Sequence, residues 1–366
     1  MKSNYRRIGD YIQECDKRNV NDLPLPLCGV SIDKKFIKSV ANVIGTDLTK
    51  YKVVSCNQFV CSLMQVSRDE KIPIALWTNE DIIVSPAYKV FEVIDMDKLL
   101  PEYLNLWFKR SEFDREASYY GVGGVRGSLE WSDFCNMELP IPEINEQRRI
   151  VDAYKAIEHR IENKRKINDN LESQAQSIFD EMFVACCTDD LPSGWSIESL
   201  EEVADISAGG DRPRVFSTIK TSFCNIPIYS NGVENDGLYG FTDKAKIFNE
   251  SVTISARGTV GFTCLRQTPY VPIVRLISIT PLSNKTTAKY LYFLLKSSTL
   301  TSTGTSQQQL TVPDFKKLQI LVPAIDNLNQ FSIRINPIFD CINTNKLEID
   351  QLVILKTALL TQISSR

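Results

Sequence analysis

The chain has 366 residues, of which 43% are hydrophobic and 24% are charged. This length fits about two domains, and the composition excludes a globally disordered chain. The 42 lysines and arginines against 45 aspartates and glutamates give a net charge of −3, which argues against binding nucleic acid through bulk charge alone. The one histidine, His159, excludes a metal site with two histidines and leaves one place for a catalytic triad.

Ten cysteines are present, but none of them forms a Cys-x-x-Cys motif. The first seven residues lead into polar sequence and not into the apolar core of a secretory signal, and no apolar run approaches the roughly 18 residues that a membrane helix needs. These features predict reduced thiols that pack as small hydrophobic groups. We therefore expect a cytoplasmic protein without a membrane span.

The first part of the chain has the pattern of a mixed α+β head. Short β-like runs cover Lys52–Val54 and Ile82–Val84, and a helical stretch follows near 102–110. We place this head at residues 1–142.

A heptad pattern begins after the first head. Apolar positions from Ile150 to Met182 alternate in steps of four and three, which is the 3.5-residue period of a coiled-coil seam. The pattern predicts a helix over about 145–183, roughly 58 Å long at ~1.5 Å per residue, within a segment that we bound at 143–187. Such a helix is too long to lie on one small domain, so we expect it to pack against a second long helix.

A second head follows at residues 188–323, after a turn-rich joint. Its β-like runs lie at 252–255 and 273–279, and a helical stretch lies near 287–297. The seam then returns in a C-terminal helix, placed at 324–366. Pro337 within this seam predicts a kink or a late start of the helix.

The second half of the chain repeats the first. Asp133-Phe134 returns as Asp314-Phe315, an offset of 314 − 133 = 181 residues, and Pro142 returns as Pro323 at the same offset. A fainter match upstream pairs Ile8 with Val203. The fold class is therefore α+β, with two repeated heads separated by two long coiled-coil-like helices. If the heads sit at opposite ends, the helices run antiparallel.

Polar residues interrupt both seams at matching places. Lys164 and Asn168 lie in the first helix, and Asn345 lies in the second. One interpretation is a solvated stretch, and the other is a buried polar group that fixes the register of the helices. The seam positions assigned to the two helices are Ile157, Ile161, Asn168, Leu171, Ile338, Ile342, Asn345 and Leu352.

Three motifs only imitate catalytic sites. Asn336-Pro337-Ile338-Phe339 resembles an amino-methyltransferase motif, but it lies on the seam and lacks a glycine-rich loop upstream. The glycine-rich loop at 121–127 has Arg126 where a dinucleotide loop needs glycine. Glu143 and Glu162 lie too far apart on one helix to share a Mg²⁺ ion. We therefore predict neither catalytic residues nor metal ligands.

Polar loops in both heads have the composition of binding segments. Residues 119–128 and 302–309 each contain glycine and precede the repeated Asp-Phe pair. Glycine lets the backbone approach a ligand closely, and Gln and Arg side chains can form paired hydrogen bonds with adenine and guanine edges. Further arginines lie at 211–214 and 257–261. The alternative is that these are flexible loops without a ligand.

With these motifs in order on a double-headed repeat, the sequence resembles the specificity (S) subunit of a type I restriction–modification system. The resemblance covers the whole chain and rests on five motifs: Leu191-Pro192-x-Gly194-Trp195, Ile228-Tyr229-Ser230-Asn231-Gly232, Ser255-Ala256-Arg257-Gly258-Thr259-Val260-Gly261, Ser85-Pro86-Ala87-Tyr88, and Pro140-x-Pro142 before Glu146-Gln147.

The resemblance implies two target-recognition domains, each reading one half of a bipartite, asymmetric double-stranded DNA target. It implies that the helices set the spacing and dock two methyltransferase subunits. S-adenosylmethionine would then belong to those partners, and ATP and Mg²⁺ to restriction subunits, whereas this chain would be non-catalytic. The residues assigned to DNA are Tyr119, Tyr120, Arg126, Ser128, Arg212, Arg214, Tyr229, Asn231, Arg257, Ser306, Gln307, Gln308 and Gln309.

The sequence departs from the repeat at one motif, because Glu146-Gln147 becomes Asn327-Leu328 in the second copy. These side chains are therefore not assigned to docking. Two alternatives stay open at this point: the specificity subunit of a type IIB-like system, and a coiled-coil adaptor whose heads bind protein.

Overall fold

A computed structural model describes residues 4–39, 45–64, 66–122, 127–185, 191–297 and 311–363. The chain forms two compact units. Unit 1 comprises Met1–Arg165 with Lys346–Arg366, and unit 2 comprises Lys166–Asn345. Both long helices cross this division, so each unit contains a segment of each helix. The four sequence-based boundaries of heads and helices stay a prediction.

Unit 1 is built from short strands and mostly short helices. Its strands are β1 (Tyr5–Arg7), β2 (Ile12–Cys15), β3 (Cys28–Val30), β4 (Phe36–Lys38), β5 (Lys52–Val54), β6 (Gln58–Cys61), β7 (Ile74–Leu76), β8 (Ile82–Val84), β9 (Lys89–Val93) and β10 (Glu138–Pro140). Its helices are α1 (Val66–Asp69), α2 (Pro101–Phe108), α3 (Ser111–Gly121), α4 (Trp131–Asn136) and the first part of α5 (Ile144–Phe179).

The core of unit 1 lies on a four-stranded antiparallel sheet with the order β2-β9-β6-β7. Phe59 and Phe91 are opposite each other in the register, and their rings stack at 5.0 Å between centroids. Phe108 of α2 meets both rings edge-on. All three side chains are fully buried, so aromatic packing holds α2 against the sheet.

Unit 2 repeats this plan. Its strands are β11 (Ser196–Ser199), β12 (Ala204–Ala208), β13 (Ile226–Tyr229), β14 (Leu238–Thr242), β15 (Ser251–Ile254), β16 (Thr263–Arg266), β17 (Val271–Pro272), β18 (Ile277–Pro281) and β19 (Gln319–Val322). Its helices are α6 (Leu200–Val203), α7 (Ala288–Ser297), α8 (Val312–Lys316) and the first part of α9 (Ile325–Gln362). The sheet order β12-β18-β15-β16 matches that of unit 1, and β14-β13-β17 form a separate sheet.

One hydrogen bond shows the repeat at atomic level. The Tyr103 hydroxyl donates to the Pro140 carbonyl at 3.0 Å, and the Tyr290 hydroxyl donates to the Leu321 carbonyl at 2.7 Å. The two acceptors differ by 321 − 140 = 181 residues, which is the offset found in the sequence. Both tyrosines are fully buried, so each copy satisfies its phenol on the equivalent strand.

The fainter upstream match needs a correction. The Ile8 amide donates to the Met137 carbonyl, and the Leu200 amide donates to the Leu318 carbonyl, at 2.8 and 2.9 Å. Met137 and Leu318 are equivalent in the repeat, so Ile8 corresponds to Leu200. The sequence-based pairing of Ile8 with Val203 was therefore wrong by three residues, because short apolar motifs match at several alignments while the hydrogen bond fixes one.

The two long helices begin at equivalent positions, Ile144 and Ile325. α5 continues into a π-helical segment, Asp180–Val184, which fits the predicted end near 183. Pro337 lies inside α9, so a late start of that helix was wrong, whereas the kink stays a prediction.

In each unit the two helix segments run antiparallel. In unit 1 Glu158 pairs with Lys356 at 3.5 Å, and Lys164 pairs further along with Glu348 at 2.6 Å. In unit 2 Arg334 pairs with Glu181 at 3.0 Å. Among the assigned seam positions, Ile161, Ile342 and Asn345 are buried, and Ile157, Asn168, Leu171, Ile338 and Leu352 are half-buried.

Near its end, the buried stripe of α5 moves off the strict heptad. Ile178 and Met182 are half-buried, whereas the neighbouring Phe179 and Phe183 are buried, and their tilted rings lie 5.4 Å apart between centroids. An α-helix has 3.6 residues per turn, so its core face drifts away from a 3.5-residue repeat. In unit 2 the stripe meets Phe331 of α9, which contacts both phenylalanine rings.

Candidate nucleic-acid interface

In unit 1, the assigned tyrosines lie at the C-terminal end of α3. Tyr119 is 76% exposed and Tyr120 is 44% exposed, and their rings meet edge to face at 5.7 Å. Gly121 packs closely behind them, since a Cβ there would lie 3.3 Å from backbone atoms of Gly127 and Ser67. The backbone at the end of α3 therefore lies close to the backbone of Gly127 and Ser67.

The other residues assigned in the loops at 119–128 and 302–309 are half-buried or lie outside the described residues. Ser128 is half-buried. The remaining ones, whose roles stay predictions, lie outside the described residues: Arg126, Ser306, Gln307, Gln308 and Gln309.

In unit 2, two separate segments are joined backbone to backbone. The Val274 amide donates to the Gly210 carbonyl at 2.8 Å, and the Arg275 amide donates to the Gly209 carbonyl at 2.9 Å. A Cβ on Gly209 would lie 2.7 Å from backbone atoms of residues 272 and 273, so only glycine permits this approach. The structure therefore brings the segment of Arg212 and Arg214 beside Arg275.

The turn that carries Arg275 has a strained backbone. Val274 and Arg275 have φ angles of 52° and 60°, a left-handed conformation that is a genuine outlier for a β-branched residue such as valine. Each such residue costs on the order of 1–3 kcal/mol. The predicted β run over 273–279 was wrong in its first part, because this turn separates Val271–Pro272 from Ile277–Pro281.

Arg212 is held by an aromatic ring. Its guanidinium carbon lies 4.7 Å from the Phe216 ring centroid, and that ring lies 5.5 Å from the Tyr239 ring. Arg212, Arg214 and Tyr239 are exposed. Stacking on a ring limits the orientations of the guanidinium plane while its N–H edges stay available.

Tyr229 and Asn231 have partners inside the unit. The Arg266 guanidinium lies 3.6 Å from the Tyr229 ring centroid. Burial raises the pKa of Tyr229, and the Arg266 cation opposes this rise. The Asn231 side-chain amide donates to the Val274 carbonyl at 2.6 Å, while its oxygen accepts from the Ala256 amide at 2.8 Å.

These bonds make Asn231 a positioning residue. It ties the Arg275 turn to the start of the loop that carries Arg257, which is exposed. Gly258 in that loop has a φ of +71° with open space around it. Direct contact of Tyr229 and Asn231 with DNA stays a prediction, since both side chains already support neighbouring segments.

Sequence reasoning missed Arg275, Phe216 and Arg266. One signal was available for Arg275, which is the one charged residue in the apolar stretch 271–279. Arg266 is buried, and it donates to the Thr253 hydroxyl at 2.9 Å and to the Asp236 carbonyl at 2.6 Å. The sequence alone does not show whether a single arginine such as Arg266 is buried or exposed.

The Glu146-Gln147 motif is also explained by burial. Gln147 is fully buried, and its amide donates to the carbonyls of Lys98 and Pro142 while its oxygen accepts from the Leu100 amide. Leu328, its equivalent in unit 2, is fully buried too. Gln147 therefore stabilises unit 1 internally.

Two further observations bear on chemistry. Within the part of the chain that the structure describes, no group of three or more His, Cys, Asp or Glu residues is placed to hold a metal ion. In the same residues, no helix is both long enough and apolar enough to cross a membrane.

The fold and this surface define a binding protein with a duplicated recognition unit. The sequence matches the family described as the type I restriction modification DNA specificity domain over residues 33–173 and again over 192–353. These two ranges cover most of the chain. The chain therefore belongs to this family and carries its domain twice.

Individual relatives agree with the family. A type I restriction enzyme specificity subunit of Methanocaldococcus jannaschii is 24% identical over 302 residues, which are 74% of this chain and 70% of that protein. A putative type I specificity subunit of Mycoplasma pneumoniae is 29% identical over 146 residues, and the match spans 40% of each chain.

A solved structure shares the fold. The crystal structure of a type I restriction–modification S subunit from M. genitalium superimposes with a TM-score of 0.57 at 12% sequence identity. The superposition covers 98% of this chain and 95% of the other. At this identity the likeness establishes the fold.

Proposed function

We propose that the chain is the DNA-recognition subunit of a type I restriction–modification complex, and that each unit reads one half of a bipartite, asymmetric double-stranded target. The observation that carries this proposal is the duplicated specificity domain. The two copies share the same sheet order and equivalent hydrogen bonds, such as those of Tyr103 and Tyr290. The surfaces differ, because unit 1 presents Tyr119 and Tyr120 and unit 2 presents arginines beside a strained turn. Different surfaces favour different half-sites.

The long helices have apolar residues that support a protein partner. Leu347 and Ile354 of α9 are 65% and 70% exposed in unit 1, and their spacing of seven residues places them on one helix face. Ile333 is similarly exposed in unit 2. Exposed apolar side chains grouped on one surface mark interaction sites. We infer that methyltransferase subunits dock on α5 and α9, and that these helices set the spacing of the half-sites.

The chemistry of the complex belongs to the partners in this proposal. S-adenosylmethionine would bind the methyltransferase subunits, and ATP and Mg²⁺ would bind restriction subunits. This chain would act without catalysis in the cytoplasm, where DNA and these subunits meet. His159 supports this reading, because it is an exposed helix residue whose ring nitrogen lies 3.4 Å from the Asn163 amide.

The net charge of −3 also fits a partner. DNA affinity comes largely from phosphate neutralisation, which a near-neutral chain supplies poorly by itself. We therefore expect weak DNA binding by the isolated chain and strong binding by the assembled complex.

The test is to express the chain with its methyltransferase subunit and to map methylated adenines in the host DNA. We expect one bipartite motif with two unlike halves, and its absence would contradict the proposal.

Docking is tested in the same system by pull-down of the methyltransferase. The double variant Leu347→Glu with Ile354→Glu should weaken capture at least tenfold, while the exposed control Phe248→Glu should not. Equal capture of both variants would reject docking on this face.

A further inference from the structure

We propose that Arg212 reads the major-groove edge of a guanine in the half-site of unit 2, and that Arg275 contacts a neighbouring phosphate. This inference rests on the proposed DNA-recognition function. It names one side chain that selects a base and one that does not, so the two roles can be tested separately.

The Arg212 guanidinium packs on an aromatic ring but has no polar partner in the described part of the chain. The ring of Phe216 supports one face of the guanidinium at 4.7 Å, and Tyr239 supports Phe216 in turn. Among the described residues, Arg212 has neither a hydrogen-bond nor an ion-pair partner, and it is exposed. The ring restricts the guanidinium on one side, and its N–H groups remain unused by the described part of the protein.

The backbone segments that carry the two arginines are joined to each other. Their segments share two backbone hydrogen bonds, and Gly209 allows a backbone approach that any Cβ would block. The left-handed Val274–Arg275 turn costs conformational energy, which a fold retains when the surroundings determine the geometry. Asn231 holds the same turn through the Val274 carbonyl. The backbone of Arg275 is therefore anchored to the segment that carries Arg212.

Charge favours an anionic partner at this place. Residues 209–214 and 272–276 contain three arginines and one aspartate, which gives a net charge of 3 − 1 = +2 on a chain of net charge −3. A local positive charge on a near-neutral protein matches the phosphate backbone of DNA. It does not match an apolar docking face on a protein partner.

The two arginines are assigned different roles because, in the part of the chain that the structure describes, Arg212 packs on an aromatic ring and Arg275 does not. A planar guanidinium packed on an aromatic ring suits the O6 and N7 acceptors of guanine, which form the commonest specific contact of arginine. Among the described residues, Arg275 lies over no aromatic ring and makes no ion pair. A phosphate oxygen accepts hydrogen bonds from many directions, so Arg275 fits that less demanding partner.

The experiment selects bound sequences from a randomised DNA duplex library, using the full chain purified with its methyltransferase subunits. Arg212→Lys keeps the charge but loses the planar fork. We expect this variant to lose about 10- to 100-fold of its preference for guanine at one base pair of one half-site. Phe216→Leu should weaken the same preference, because the guanidinium plane is no longer fixed. Arg275→Gln is the matched control.

The control should lower affinity equally for all sequences, reduce the slope of log affinity against log salt by about one, and leave the motif unchanged. Thermal melting of each variant checks that the fold is intact. An unchanged guanine preference in Arg212→Lys, or equal relaxation in both half-sites, would overturn the assignment. An unchanged motif with reduced methyltransferase capture would assign Arg212 to a protein contact and also overturn it. If the unaltered complex selects no bipartite motif, the proposed function itself fails.

Discussion

Gln147→Leu is the sharpest test of how the two copies differ, because unit 2 already has leucine at the equivalent position 328. In unit 1 the Gln147 amide makes three hydrogen bonds with the backbone, to Lys98, Leu100 and Pro142, at 2.8 to 2.9 Å. The substitution removes all three and leaves two carbonyls and one amide without their partner.

The magnitude follows from these contacts. Three hydrogen bonds at about 1 kcal/mol each cost roughly 3 kcal/mol, and the larger apolar surface of leucine returns about 1–2 kcal/mol on burial. The free energy of unfolding of unit 1 should therefore fall by about 1–2 kcal/mol. For a unit of this size that is roughly 2–8 °C in Tm.

Tryptophan fluorescence during urea unfolding measures this change selectively. Three of the four tryptophans, Trp77, Trp107 and Trp131, lie in unit 1. Gln351→Leu is the matched control, because it makes the same chemical change at an exposed position of α9 in unit 1, and it should shift stability by less than about 0.5 kcal/mol. If both variants behave alike, or if Gln147→Leu is the more stable protein, the reasoning about the buried amide is refuted.

Three further predictions concern single groups. Asn345→Leu should raise the free energy of unfolding of unit 2 by about 1 kcal/mol. It should also speed hydrogen exchange around Asn168, since the 2.8 Å hydrogen bond that the Asn345 side-chain amide donates to the Asn168 side-chain oxygen is lost; no gain in stability with unchanged exchange would contradict this. Two glutamine side chains hydrogen-bond Glu92 and lower the pKa of its carboxyl group in the folded protein. The ionised Glu92 therefore stabilises the fold fully above about pH 4.3, the unfolded pKa, and this contribution is lost as pH falls through the lower folded pKa. Glu92→Gln should flatten the acid side of a plot of unfolding free energy against pH, and an unaltered plot would count against the reasoning. Burial and then Glu92 raise the pKa of Cys15 to about 12, so alkylation at pH 8 should modify the exposed Cys56 long before Cys15, as peptide mass mapping would show; faster labelling of Cys15 would disprove it.

The long helices could be predicted because their signal is local and repeated. The heptad steps predict α5 and α9, whose starts at Ile144 and Ile325 keep the 181-residue offset. The strands Lys52–Val54 and Ile82–Val84 were also predicted at their observed bounds. In these segments the local pattern and the tertiary packing favour the same structure.

The pairing of strands could not be predicted in the same way. Strand β9 pairs with both β2 and β6, and nothing in a run such as Lys89–Val93 states which distant strand will be its neighbour. The Ile273–Ile279 stretch shows the same limit, because its apolar residues suggest one strand while the contact with Gly209 and Gly210 requires a turn.

By itself, the sequence determined the duplication, the two long helices and the family, since repeats, heptads and motifs are patterns along the chain. Only the tertiary structure decided which polar side chains face outward. It joined the backbone just before Arg212 to the Arg275 turn, and it directed Asn231 and Gln147 to internal carbonyls and amides. The physical reason is that the role of a polar residue depends on the partners within hydrogen-bonding distance, and for Asn231 and Gln147 these partners include carbonyls 43 and 49 residues away in the chain.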